Sequence, residues 1–285
     1  MPLKQRLFGL GFEAGRKFIA DEDPGYICPI CLGIFRDREA LTLEHVPPEA
    51  VGGKALCLLC KPCNNGSGHS TDAALHERAE AAQVLRTGQS RRFLKLKIEE
   101  LALNGTIERK DDGSEVQLAT GRNDPAKVEE FLRRMRNSEP GAQLQVWYPN
   151  RFNDHFAMVG YLKVAYLYAF AKFGYGYILR PCLDSVRLQI REPSKKTIWK
   201  WWLGRDGDLG QTILYLLDRP LNCLAVAINE YLVVLPALEE PHDQYEKIEQ
   251  LTRDTPRDKL LGEFHYTHAF KAPNRMELLC DQIPS

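Results

Sequence analysis

Leu41-Thr42-Leu43-Glu44-His45-Val46-Pro47-Pro48-Glu49 lies between two cysteine pairs, Cys28-Pro29-Ile30-Cys31 and Cys60-Lys61-Pro62-Cys63. How this stretch is read decides the fold of the first third of the chain. Two CxxC pairs at this separation let two short knuckles converge on one tetrahedral ion, and four thiolates around zinc are the simplest outcome. Such a site is closed, so the zinc is expected to hold the fold and chemistry must come from other residues. Cys57 stands three residues before Cys60, so the spacing alone also allows a set that uses Cys57 in place of Cys63.

Working outward, the piece from Asp21 to about Arg86 contains five of the eight cysteines, a Pro-Pro pair and a Gly-Gly pair. That composition suits a small module in which a metal replaces a large core. CxxC crowding of this kind reads as metal ligation in a reducing compartment rather than as secreted disulfides. Tyr26 to Phe35 suits a knuckle, Ala40 to Val46 a strand and Thr71 to Leu85 a helix, with Arg86 to Arg92 as a linker. The N-terminal residues read as a short leading helix, since Glu13 comes too early for a secretory signal.

From Phe93 to Thr120, apolar and polar residues alternate around a turn at Lys110 to Ser114, which predicts a meander of two or three strands. A capped helix is expected from Asp124 to Arg136, a strand over Gln143 to Tyr148, and an apolar helix within His155 to Tyr177. Lys163 in the middle of that helix and Lys172 near its end make it unsuited to crossing a bilayer, so a buried helix is expected. A further helix is expected near Leu183 to Arg191, and mixed short strands over Leu221 to Leu238.

The chain has 285 residues, 44% of them hydrophobic and 27% charged, which is the composition of an ordinary core-forming protein. Its 38 basic and 38 acidic side chains cancel. Any polyanion must therefore be met by a local basic face and bound cations rather than by the whole molecule.

The EH step, the prolines after it, Gly52-Gly53, and Leu59-Cys60-Lys61-Pro62-Cys63-Asn64 together resemble the zinc-bearing members of the HNH endonuclease family. The resemblance covers Cys28 to about Leu75, and its LCxxCN register selects Cys28, Cys31, Cys60 and Cys63 as the structural zinc set, leaving Cys57 as a packed core residue. It implies a ββα-metal fold, so the fold class is α+β: a zinc-stapled HNH domain over 1–90, then a larger mixed α+β domain of unassigned type over 91–285. It also implies a catalytic centre at Glu44, His45 and Asn64. His45 would be the general base, because a neutral imidazole with an ordinary pKa of about 6.5 can take a proton from water near neutral pH. Glu44 and Asn64 would hold a hard divalent cation, Mg2+ or Mn2+, with His69 or Asp72 as a further ligand. The family's middle Asn falls at Ala55, which has no amide.

The activity so implied is metal-dependent hydrolysis of nucleic-acid phosphodiesters, DNA ahead of RNA, by a cytoplasmic protein of a restriction, mobile-element or antiphage system. The alternative is a catalytically degenerate zinc module that binds nucleic acid or protein. Arg91 and Arg92 are candidate nucleic-acid contacts, no membrane association is expected, and the second domain is the expected site for a homodimer or protein partner.

Overall fold

In the computed structural model the described residues are 1–19, 24–87, 92–110, 113–118, 122–137, 145–147, 153–204, 212–218, 221–236, 244–254 and 265–278. The chain opens with helix α1 (Leu3–Gly15), then a two-strand knuckle, β1 (Tyr26–Ile27) and β2 (Ile34–Phe35), which carries the first CxxC between its strands. Next come β3 (Leu41–Val46) and β4 (Lys54–Cys60), an antiparallel ribbon. Its connection needs both glycines. Gly52 has φ 84°, and a Cβ on Gly53 would lie 1.5 Å from the carbonyl oxygen of Pro47.

The second CxxC runs directly into α2 (Lys61–Ser67), which passes through one π-helical stretch at Gly68–Asp72 into α3 (Ala73–Thr87). The helix therefore begins ten residues before the expected Thr71. Pro62 in its first turn is the start signal, since proline's missing N–H costs nothing there. β4 is buried at every position from Leu56 to Cys60, the mark of a strand covered on both faces.

The next elements are β5 (Arg92–Ile98), β6 (Leu101–Lys110), β7 (Gly113–Leu118), α4 (Pro125–Asn137) and β8 (Gln145–Trp147). The strands form an antiparallel sheet in the order β7-β6-β5-β8, so the expected meander is present with one strand added. Asp124 caps α4, its Oδ1 accepting the Ala126 N–H at 3.0 Å, and Phe131 packs on Leu96 and Leu103.

The chain continues with α5 (Asp154–Phe173), α6 (Tyr175–Ile178), α7 (Asp184–Arg191), β9 (Trp202–Gly204), β10 (Ile213–Leu217), β11 (Cys223–Ile228), β12 (Tyr231–Pro236), α8 (Gln244–Asp254) and β13 (Tyr266–Lys271). The five strands form an antiparallel sheet in the order β13-β10-β11-β12-β9. β11 and β12 are buried throughout, because α5 packs on this sheet and Ile248 of α8 sits in a second apolar cluster with Leu203, Ala225 and Val234. α5 is apolar almost all round and is buried accordingly.

The chain divides into two compact units, 1–76 with 154–285, and 77–153. This differs from the expected boundary near residue 90. A two-strand ribbon with knuckles cannot bury both its faces alone, and here α5, from the second half of the sequence, supplies the missing core. Leu7, Tyr26, Leu41, Leu58, Tyr166, Val226 and Met276 belong to one continuous apolar cluster. Three tyrosines tie the halves through backbone carbonyls: Tyr166 donates to Pro29 at 2.5 Å, Tyr168 to Val46 at 3.1 Å and Tyr175 to Ile27 at 3.0 Å. Among the described residues no helix is long and apolar enough to cross a membrane.

Candidate metal centre and HNH site

The two knuckles bring the sulfurs of Cys28, Cys31, Cys60 and Cys63 within 4.8 Å of one another. The first turn is closed by the Leu32 N–H on the Cys28 carbonyl and the Cys28 N–H on that of Gly33, both at 2.9 Å, with Leu32 at φ 60°. The Sγ atoms of Cys31 and Cys60 are 3.7 Å apart. That is far beyond a disulfide bond and close to the edge of about 3.8 Å expected for a tetrahedron with Zn–S bonds of about 2.3 Å. Hydrogen bonds with Cys31, Cys60 and Cys63 push the Cys28 thiol well up, a conflict among crowded thiols that a dication would resolve by holding all four as thiolates. The four cysteines thus fit a zinc ion. Cys57 lies outside the set, fully buried opposite Glu44 in the ribbon.

Along β3 the side chains alternate, so Glu44 and His45 point to opposite faces. The strand runs unbroken to Val46, and no sharp turn separates the two. The only irregularity is one extra residue, Leu56, on β4, since Glu44 pairs with Cys57 and His45 with Ala55. Glu44 is turned inward and is 4% exposed. His45 stands on the other face, half-buried, its Nε2 4.0 Å from a Glu49 carboxylate oxygen.

Glu44 meets Lys163 of α5. The ammonium lies 2.7 Å from Glu44 Oε1 and 2.8 Å from Asp72 Oδ2, and donates to Ser67 Oγ at 2.8 Å. Ser67 closes α2 and Asp72 ends the π-helical stretch. Burial pushes the Glu44 carboxyl up to about 7 against the pull of Lys163, and nearby Asp72 adds to the rise. Burial opposes the charge on Lys163 too, yet the two carboxylates hold its proton more firmly than usual. Asp72 Oδ1 is buried with no hydrogen-bond partner among the described residues. Gly160, one turn before Lys163, permits this approach: a Cβ there would lie 2.8 Å from the Thr71 carbonyl oxygen and 2.9 Å from Leu75 Cβ.

Asn64 has a structural tie the sequence did not suggest. Its Nδ2 donates to Thr42 Oγ1 at 2.8 Å and to the Leu43 carbonyl at 3.2 Å, pinning the start of α2 to β3. His69 is exposed. Arg91 and the side chain of Arg92 lie outside the described residues. The structure thus brings Glu44 and Asp72 together, places His45 on the far face of the ribbon, and gives Asn64 a structural tie. Lys163 and Ser67 were missed in the sequence. The signal for Lys163 was present, because a lysine inside an apolar helix requires a buried carboxylate partner.

For a hard divalent cation, two carboxylates and a hydroxyl are suitable donors in kind. In this chain the position they surround is filled by the Lys163 ammonium.

These features define the N-terminal region: a cysteine-stapled β-ribbon and helix carrying an EH step, within a mixed helix and sheet protein. Residues 28–80 match the family described as HNH endonuclease, so this segment is an HNH module and suggests a nuclease or nucleic-acid-binding role. No curated protein and no solved structure gives a significant match.

Proposed function

We propose that the chain is an HNH endonuclease that hydrolyses nucleic-acid phosphodiesters, DNA ahead of RNA. The observation that carries this reading is the match of residues 28–80 to the HNH endonuclease family, with His45 of that segment partly exposed on the outer face of the ribbon. His45 would take the proton from the attacking water, with a Glu49 carboxylate oxygen 4.0 Å from its Nε2. Glu44 and Asp72 are donors of the kind a Mg2+ or Mn2+ ion takes, and such an ion, which offsets charge developing on a phosphate, would hold there only with Lys163 displaced from between them. Asn64 would also fix α2 to the strand that carries His45 through its Nδ2, leaving the Oδ1 as the atom that could ligate.

A second reading is favoured by one specific contact. With Lys163 between its carboxylates, the module needs no divalent cation for charge balance and would bind nucleic acid without cutting it. Cleavage of plasmid DNA and of a long RNA, with and without Mg2+ or Mn2+, separates the two. The nuclease reading expects cleavage that requires the ion and falls at least about a hundredfold in His45→Ala, the usual scale for losing a general base. Intact substrate under every condition, with nucleic acid bound, would establish the non-cutting module.

A further inference from the structure

Two hollows flank the end of the ribbon that bears His45. One, of about 320 Å³, is bordered by Pro47, Gly53, Lys54, Tyr168, Lys271 and Asn274. The other, of about 530 Å³, is bordered by Arg6 and Leu10 of α1, Ala55, Asn274, Arg275 and Glu277. Asn274 belongs to both, so the 271–277 segment connects them past β4. Ala55 is the cross-strand partner of His45, and Lys54 that of Val46. Paired residues share a face of a ribbon, so Ala55, at the rim of the second hollow, lies on the face of His45, while Lys54, at the rim of the first, lies on the face of Val46.

Exposed cations without an ion-pair partner among the described residues also occur elsewhere, as at Lys61, Lys127 and Lys196, but here four of them border two adjoining hollows. Lys4, Arg133, Arg134, Lys163, Lys195 and Arg253 all face carboxylates. Arg6, Lys54, Lys271 and Arg275 have no ion-pair partner among the described residues. All but Lys54 come from outside the matched segment, and all four are exposed. The one carboxylate bordering the hollows, Glu277, is itself neutralised by Lys172 at 2.5 Å. In a chain of zero net charge, four unopposed cations in adjoining concavities make a local positive field where a polyanion would be concentrated.

We propose that Arg6, Arg275, Lys54 and Lys271 form a track for the phosphodiester backbone of a nucleic acid, leading it past the His45 end of the ribbon. This rests on the nucleic-acid role of the module but not on cleavage. The four side chains are spread over α1, β4 and the 271–277 segment and offer charge rather than a base-reading pattern, so they position a backbone without selecting a sequence.

The test is fluorescence anisotropy with a labelled DNA duplex and an RNA duplex of the same sequence, without added Mg2+ or Mn2+, between about 50 and 200 mM salt. The parent is compared with Arg6→Gln/Arg275→Gln, with Lys54→Gln/Lys271→Gln, and with Lys127→Gln, an exposed lysine of α4, as the control. Each double variant should lower the slope of log K against log salt on DNA by about 1.8, since each lost phosphate contact removes about 0.9. Lys127→Gln should match the parent, and melting curves should show every variant folded. Lowered slopes in the double variants support the track, and whether DNA, RNA or both bind identifies its source. Unchanged slopes in both double variants overturn it, as does a parent that binds neither duplex. A parent that cuts DNA while the double variants bind unchanged removes the track and leaves the nuclease. Lost binding in the double variants of a protein that never cuts does the reverse.

Discussion

Lys163 keeps a charge at 1% exposure because two carboxylates and a hydroxyl meet it, and this arrangement fixes what its removal should do. Lys163→Met leaves Glu44 and Asp72 facing each other without a counter-charge, so denaturant unfolding should show a loss of about 3–5 kcal/mol. Adding Glu44→Gln and Asp72→Asn to that variant should restore most of it, because the cost lies in uncompensated charge. A lone Lys163→Met as stable as the parent would show that the three groups do not meet. The cysteines make a parallel contrast. Cys63→Ser should lose the bound zinc by metal analysis and melt at lower temperature, whereas Cys57→Ala should retain one zinc per chain and pay only for a small cavity, about 1–2 kcal/mol.

At the scale of elements, the contact between α5 and the π-helical stretch after α2 is decided by Gly160. Helix propensity alone says that Gly160→Ala should stabilise α5 by about 1 kcal/mol. The close approach to the Thr71 carbonyl and Leu75 says the opposite, and overpacking of this kind typically costs about 1–3 kcal/mol. A measured destabilisation by Gly160→Ala would therefore show that the helices cross this closely, and stabilisation would show that they do not. The same crossing delivers Lys163 to Glu44, so zinc content should be unaffected while the buried charge network is disturbed. The ribbon is held from below in a different way, by Asn64 bonding to Thr42 and Leu43 at the start of α2.

For the molecule as a whole, the HNH module is a part of a larger core rather than a bead on a linker. Tyr166, Tyr168 and Tyr175 bind its backbone, and its apolar residues share one cluster with α5 and the five-stranded sheet. A fragment of residues 1–90 should therefore bind zinc without a cooperative thermal transition, since it retains the cysteines and loses the helix that covers the ribbon. A sharp melt for that fragment, matching the intact protein's, would refute the shared core. Residues 77–153 have their own sheet and a small cluster around Phe131, and form the second unit.

Local patterns determined much of this protein in the sequence itself. CxxC spacing and the LCxxCN register located the four cysteines, period-two alternation gave the β5 to β7 meander, Asp124 marked the start of α4, and the all-round apolar character of 155–177 gave a buried helix. Each depends on neighbours a few residues apart, where backbone geometry is set by the residues themselves. The site's charge balance was a different matter. Lys163 and Asp72 are 91 residues apart in the chain, and only the packing of α5 on the helix after the second CxxC brings them together. The same holds for the cations at positions 6, 54, 271 and 275, and for the division into units, because the covering of a ribbon too small to bury itself is decided by which distant helix reaches it.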